Sequence, residues 1–156
     1  PATVYLAFQN VDFMQENTEL LADYQLRGAF FLTAAEILAE PALVRDLYAQ
    51  GHILGVTFEK GNTDCASAFG EANDALDEVL GLRTLLALVP EGTDASAVQG
   101  YCIFEAENML VSVENAVEHP ENPHILLCSG NAAQSLSTLY AAKANIRILR
   151  ETTALS

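Results

Sequence analysis

The stretch Val4-Tyr5-Leu6-Ala7-Phe8-Gln9-Asn10-Val11-Asp12 decides how the rest of the chain is read. Its first half is apolar and β-favouring, without the strict alternation of a half-exposed strand. It then changes abruptly to two amides and, two positions on, a carboxylate. A strand covered on both faces of a parallel sheet has this form: the covered part is apolar throughout, and polar side chains collect where the strand leaves the sheet and meets a crevice. Function is therefore sought at the strand C-termini.

The same plan repeats along the chain. Thr18 to Arg27 carries Leu20, Leu21 and Tyr24 at inward helical spacing, with Gly28 as the expected left-handed terminator. Ala29 to Thr33 reads as a second strand. Pro41 suits a first helical turn, and Leu43, Val44, Leu47 and Tyr48 form the buried stripe of a helix closed by Gly51. His52 to Phe58 supplies a third strand, followed by the polar set Glu59-Lys60-Gly61-Asn62. Thr63 or Asp64 is placed to cap a long helix bearing Phe69, Ala72, Leu76 and Val79, which Gly81 stops. Thr84 to Val89 is a fourth strand ending in the turn Pro90-Glu91-Gly92, and a short helix is expected over Asp94 to Gln99.

Tyr101 to Phe104 is a fifth strand that exits into Glu105, Ala106 and Glu107, after which Asn108 can cap a helix with Met109, Val113 and Val117. His119-Pro120-Glu121-Asn122-Pro123 makes a rigid exposed turn, and Ile125 to Cys128 a sixth strand. Ser129-Gly130-Asn131 opens a helix with Leu136, Leu139 and Tyr140 on one face, and Ile146 to Leu149 is a seventh strand before a polar tail. About seven strands alternating with helices define an α/β protein with a mostly parallel sheet. Two architectures fit that rhythm: an open doubly wound sheet, or a distorted, incomplete (β/α) barrel.

No linker or composition shift divides the 156 residues, which suit a single domain spanning 1–156 that buries roughly 70% of the surface its unfolded chain exposes. A start at Pro1 without a signal-like segment suggests a domain excised from a larger protein. Hydrophobic residues make up 51% of the chain, which excludes disorder, and the apolar runs fall far short of the ~20 residues of a membrane span, so no membrane insertion is expected. Seven Lys and Arg against 21 Asp and Glu leave a net charge of −14, a field that repels phosphate backbones; nucleic acid is not an expected partner. Cys65, Cys102 and Cys128 show no C-x-x-C spacing, which argues against a zinc knuckle and leaves room for one bridge at most, with Cys65 and Cys128 the pair considered.

Several segments resemble the polysaccharide deacetylases, the NodB-homology or carbohydrate esterase family 4 domain. Val4 to Phe8 is similar to that family's opening strand, Gly28-Ala29-Phe30-Phe31-Leu32-Thr33 to its second strand, and Leu43-Val44-Arg45 through Gly51-His52-Ile53-Leu54-Gly55 to its Gly-His element. Ile125-Leu126-Leu127 looks like the strand that carries the family's late histidine. The resemblance covers nearly the whole chain. It implies a NodB-like distorted (β/α) barrel, an exported or cell-envelope setting, and a divalent metal in active relatives.

The catalytic motifs of that family are replaced here. Where active members end the first strand in two aspartates, a base and a metal ligand, this chain has Gln9 and Asn10. The two metal histidines fall on Thr57 and Gly61, an orienting arginine on Leu88, and the late histidine on Cys128. An amide is neither an anionic ligand nor a proton acceptor at physiological pH, so the family's metal-assisted hydrolysis is not expected and the metal is predicted absent, with no cofactor in its place. Asp12 falls on the place of the family's proline.

What remains is a set of candidates. Gln9 and Asn10 either satisfy nearby backbone groups or contact a ligand, and with Asp12, Glu59 and Glu105 they form the expected binding positions. Cys128, preceding a helix start, is either an inert thiol or a nucleophile favoured by the helix dipole. Glu59, Glu91, Glu105 and Glu107 form either a solvated acidic rim or a pair able to hold Ca²⁺ or act in acid–base catalysis. His52 reads as a packed residue and His119 and His124 as parts of a surface turn, while Tyr5, Tyr101 and Phe58 are the aromatic faces available for a sugar in a chain without tryptophan. The expected role is a catalytically inactive binding, scaffolding or interaction module for carbohydrate or another protein domain; the alternative is an active carbohydrate deacetylase or other hydrolase with a rearranged site, using either a metal on the acidic rim or Cys128 as nucleophile.

Overall fold

The computed structural model describes residues 1–109 and 112–149, and the polar tail expected from residue 150 lies outside the described residues. In chain order the strands are β1 (Thr3–Phe8), β2 (Ala29–Leu32), β3 (Ile53–Val56), β4 (Leu86–Val89), β5 (Cys102–Glu105), β6 (His124–Cys128) and β7 (Asn145–Arg147). The helices are α1 (Met14–Asp23), α2 (Ala34–Ala39), α3 (Pro41–Ala49), α4 (Cys65–Leu80), α5 (Val113–Glu118) and α6 (Ala133–Ala141). Short 3₁₀ turns occupy Val11–Phe13 and Ala106–Asn108. Among the described residues no helix is long and apolar enough to cross a membrane.

The chain resolves into two compact units, Pro1–Ala29 with the segment from Met109 onward, and Phe30–Asn108. In the first unit β1 pairs in parallel with β6, Val4 opposite His124 through Phe8 opposite Cys128, and with β7, Thr3 opposite Asn145 through Tyr5 opposite Arg147. Val4, Leu6, Ala7 and Phe8 are all fully buried, as a strand covered on both faces requires. Phe8 is accommodated because Gly28 lacks a side chain: a Cβ there would stand 2.6 Å from Phe8 Cε2. Gly28 is thus a close-approach glycine and not the expected helix terminator. Helix α1 starts at Met14 and ends at Asp23, and Gln25 adopts the left-handed backbone at φ 58°.

In the second unit the strand order is β5-β4-β3-β2, with β3 and β4 parallel and β4 and β5 parallel from Leu86 opposite Cys102 to Val89 opposite Glu105. The expected capping residue of the long helix is Asp64, whose side chain accepts from Ser67 N, and Gly81 closes that helix at φ 69°. Helix α2 was not anticipated, although its signal is present: Thr33 accepts from Glu36 N while Glu36 bonds Thr33 N, the reciprocal capping box of Thr-x-x-Glu. Asn73, 2% exposed on α4, accepts from Thr84 N at 2.7 Å and donates to Thr84 O at 3.1 Å, tying the helix to the chain just before β4.

Other boundaries shift. Residues 94–99, expected as a helix, form turns in which Ser96 N donates to Asp94 Oδ1 and Val98 N to Ala95 O. Asn108 does not cap a helix: its amide donates to Glu105, and α5 begins at Val113 after Ser112. Strand β7 starts one position before the apolar run Ile146 to Leu149 and ends two positions short of it, since pairing to Thr3, Val4 and Tyr5, rather than hydrophobicity, fixes its bounds.

Candidate functional site

The parallel register of β1 and β6 ends the two strands side by side, and the polar residues that follow them bond to each other. Gln9 N donates to Cys128 O at 3.0 Å, extending the ladder one step beyond Phe8. The side chains continue the connection: Gln9 Nε2 donates to Ser129 Oγ at 2.7 Å and Asn10 Nδ2 to Ser129 O at 3.0 Å. Asn10 holds a left-handed backbone at φ 72°, a conformation asparagine tolerates because its short amide bonds locally. Its Oδ1 accepts from Asp12 N at 3.3 Å and so caps the 3₁₀ turn that leads into α1.

A third amide completes this arrangement. Asn17, 1% exposed on α1, donates to Gly130 O and accepts from Ala132 N, each at 2.9 Å, while Asn131 donates to Glu16 at 3.0 Å. Asn17 was missed because the sequence reading began the helix at Thr18. The signal lay in Met14, Asn17, Thr18 and Leu21, the buried positions of α1, whose spacing places an amide on a covered stripe. Helix α6 then starts at Ala133, with Asn131 Oδ1 accepting from Ala133 N at 2.8 Å. The amide of Asn10 is engaged at both ends; Gln9 uses its NH₂ and keeps Oε1 without a donor among the described residues. Asp12 is exposed beside them.

Cys128 is a free thiol at the end of β6, and burial pushes its ionisation up to about 12. That is the opposite of the shift a nucleophile needs, so desolvation outweighs any help from the following helix. Cys65 and Cys102 are free as well, so the Cys65–Cys128 bridge does not form. Cys65 is buried, its Sγ 3.7 Å from Asp94 O, and burial raises its ionisation too.

In the second unit Thr57 and Leu88 are brought together, but as framework. Thr57, 5% exposed, donates its hydroxyl to Leu88 O at 2.8 Å while its N–H donates to Leu32 O, and the Leu88 side chain lies fully in the core. Gly61 is exposed at φ 93° and, with Asn62, Thr63, Gly92, Thr93 and Asp94, lines an open polar cavity of about 220 Å³. Lys60 and Glu91 pair at 3.8 Å, with side chains 70% and 58% exposed, a solvated contact of little energetic weight. Glu59 is exposed, and Glu105 accepts from Asn108 at 3.0 Å.

Phe58 and Tyr101, expected as sugar-stacking faces, instead pack on Phe69 with ring centres at 5.2 and 5.1 Å. His52 is 4% exposed and meets Phe30 edge-on at 4.8 Å. His119 ends α5 and His124 opens β6 on either side of the surface turn, a ring nitrogen of His124 lying 2.8 Å from His119 O.

A divalent ion of the kind used for hydrolysis requires anionic or imidazole donors. The Asn10 amide is consumed by Ser129 and Asp12, the Thr57 hydroxyl is given to a carbonyl, and Gly61 offers no side chain. These residues do not fit such an ion. Among the described residues no three His, Cys, Asp or Glu side chains gather as a metal-ligand group.

Comparison with known proteins places this geometry within a fold. No protein-family profile matches the chain, and no curated protein matches it. Solved structures do. The polysaccharide deacetylase Bc1974 from Bacillus cereus superposes with a TM-score of 0.75 at 16% identity, over 100% of this chain and 96% of that one. A Streptococcus mutans CE4 esterase gives 0.75 at 17% identity, over 96% and 86%. A mutant of BA3943, described as a CE4-family pseudoenzyme with restored enzymatic activity, gives 0.70 at 11% identity, over 94% of this chain and 65% of that one. The chain therefore has the fold of the polysaccharide deacetylases, a distorted, incomplete (β/α) barrel of seven mostly parallel strands. Of the two architectures compatible with its rhythm, this is the one adopted.

Proposed function

We propose that this chain is a polysaccharide-deacetylase fold that has given up metal-dependent hydrolysis and serves as a binding or interaction module, for carbohydrate or for another protein domain of the cell envelope. The observation that carries the reading is the fate of Asn10. At the position where an active relative would place a metal carboxylate, its amide donates to Ser129 O and accepts from Asp12 N, so the side chain holds the strand exit together. A neutral, hydrogen-bonded exit carries neither of two carboxylate charges and has no need of a counter-ion, which suits contact with neutral ligands. In the first unit Gln9 Oε1 remains as an acceptor for a ligand hydroxyl, with Asp12 exposed nearby; the second unit, taken by itself, offers the cavity beside Gly61 and the exposed carboxylates Glu59 and Glu105.

A further support comes from the named relatives: the fold includes a protein described as a pseudoenzyme, so loss of chemistry on this scaffold has a precedent. The test uses protein purified without chelator and analysed for bound metal, then assayed for acetate release from acetylated chitooligosaccharide with and without added Zn²⁺ or Co²⁺. The expected result is saturable oligosaccharide or partner binding with no acetate released. Stoichiometric metal together with metal-dependent acetate release would overturn the reading.

A further inference from the structure

The second unit repeats one loop pattern after two neighbouring parallel strands. Gly61-Asn62-Thr63-Asp64 follows β3, and Gly92-Thr93-Asp94 follows β4. Each opens on a glycine in the left-handed region, at φ 93° and 77°, and each closes on an aspartate that accepts from a serine N–H, Asp64 from Ser67 at 3.1 Å and Asp94 from Ser96 at 2.9 Å. All of these residues except Asp64 line the cavity of about 220 Å³. The two loops are tied to each other before and after their glycines: the buried Thr57 hydroxyl donates to Leu88 O at 2.8 Å, and Cys65 Sγ lies 3.7 Å from Asp94 O. A Cβ at Gly61 or Gly92 would meet nothing within 4 Å, so the backbone of both loops is open to an approaching ligand.

The chemistry of the lining decides what fits. Each acid at these loops is already engaged by the protein: Asp64 caps α4, Glu91 pairs with Lys60, and Asp94 is bonded by the backbone and then the hydroxyl of Ser96, which hold its carboxyl below the ordinary range. The groups left for a ligand are uncharged. Asn62 spends Oδ1 on Asp64 N, while its Nδ2 and the hydroxyls of Thr63 and Thr93 have no partner among the described residues. One amide donor and two hydroxyls that both donate and accept match the hydroxyls of a sugar, which also do both. A protein partner's anchor side chain would need an apolar pocket, and nothing more apolar than a threonine methyl lines this one. An anionic ligand would face a net charge of −14. Size is set by volume: drug-sized ligands occupy about 300–1,000 Å³, so this smaller cavity takes one ring and not a chain of them.

We propose that this cavity binds a single ring of a neutral sugar, with Asn62 Nδ2 donating to one ring hydroxyl and the Thr63 and Thr93 hydroxyls bonding its neighbours. The proposal rests on the carbohydrate-binding reading above and gives it a site. No aromatic side chain lines the cavity, so affinity comes from a few hydrogen bonds exchanged with water and falls in about the millimolar range. The probe is methyl glucoside, titrated into isotope-labelled protein and followed by NMR beside glucosamine and glucuronate, which put a positive and a negative charge on the same ring. Saturable shifts are expected on Gly61, Asn62, Thr63, Gly92 and Thr93 with the neutral sugar, and weaker binding with glucuronate. Thr63→Val and Thr93→Val, which remove a hydroxyl and keep the shape, should each weaken binding about fivefold, with unchanged β1 shifts showing an intact fold. The proposal is overturned if no saturable shift appears on these loops up to about 50 mM methyl glucoside, if either charged sugar binds more tightly, or if both valine variants bind like the parent. Chitooligosaccharide shifts confined to Gln9 and Asn10 would overturn it and leave the carbohydrate reading standing. Metal-dependent acetate release together with saturable loop shifts would overturn that reading and support this site.

Discussion

Placing an acid at the first strand exit, by Asn10→Asp, tests how closely the surroundings fit an amide. Aspartate holds a left-handed backbone much as asparagine does, so the cost of φ 72° is common to both, and a carboxylate oxygen still accepts from Asp12 N. What is lost is the donor to Ser129 O, a 3.0 Å bond. One such bond is worth about 0.5–1.5 kcal/mol net, and a carboxylate facing a carbonyl oxygen adds repulsion, so a deficit of about 1–2 kcal/mol is expected at pH 7. For a domain of this size that lowers Tm by about 2–4 °C per kcal/mol. The sign of the pH dependence is distinctive. Protonated, the new carboxyl can donate to Ser129 O, so its folded pKa lies above the ordinary aspartate value of about 3.9. In the window above that value the folded state binds more protons than the unfolded state, so the variant's stability relative to the parent falls as pH rises. Urea unfolding of parent and variant at matched pH values between about 3 and 7 reads this difference directly. A variant as stable as the parent at pH 7, or one whose deficit does not shrink toward pH 3, would refute the assignment of Asn10 as a strand-exit clamp.

Two glycines make a paired prediction of opposite sign. Gly28→Ala places a Cβ 2.6 Å from Phe8 Cε2 and should cost about 1–3 kcal/mol by overpacking, whereas Gly70→Ala, inside α4 with nothing within 4 Å, should gain about 0.5–1 kcal/mol; urea midpoints decide both. The Cys128 thiol, pushed up to about 12 by burial, should react with a disulfide reagent at pH 8 far more slowly in the folded protein than in urea. The unfolded thiol ionises near its ordinary value of about 8.5, so this residue's contribution to stability is fully present below that pH and is lost above it; a parent and Cys128→Ala pair with identical alkaline stability profiles would contradict it.

Much of the fold was legible because it rests on local physics. The continuous apolar runs of β1 and β2, the capping aspartate Asp64, the left-handed glycines Gly51 and Gly81, and Pro41 at a helix start are each dictated by covalent geometry and solvation within a few residues. The segmental likeness to the deacetylase fold could be read for the same reason, since those segments are mainly the strands and turns that the sheet requires. The capping box Thr33–Glu36 was equally local and shows that α2 was within reach of the sequence.

The role of each polar residue was not legible, because it depends on what the sheet brings beside it. The sequence by itself determined that Gln9 and Asn10 stand at a strand exit and that amides cannot perform the chemistry of aspartates. Only the tertiary structure decided that parallel pairing of Phe8 with Cys128 would set both amides against Ser129, 119 and 120 residues away in the chain, and commit the Asn10 amide there. It likewise decided that Gly28 would yield its volume to Phe8 and that Cys128 would be desolvated rather than activated. Propensity and chemical type act within a few residues; hydrogen-bond partners, close approach and burial are set by strand register across the whole chain.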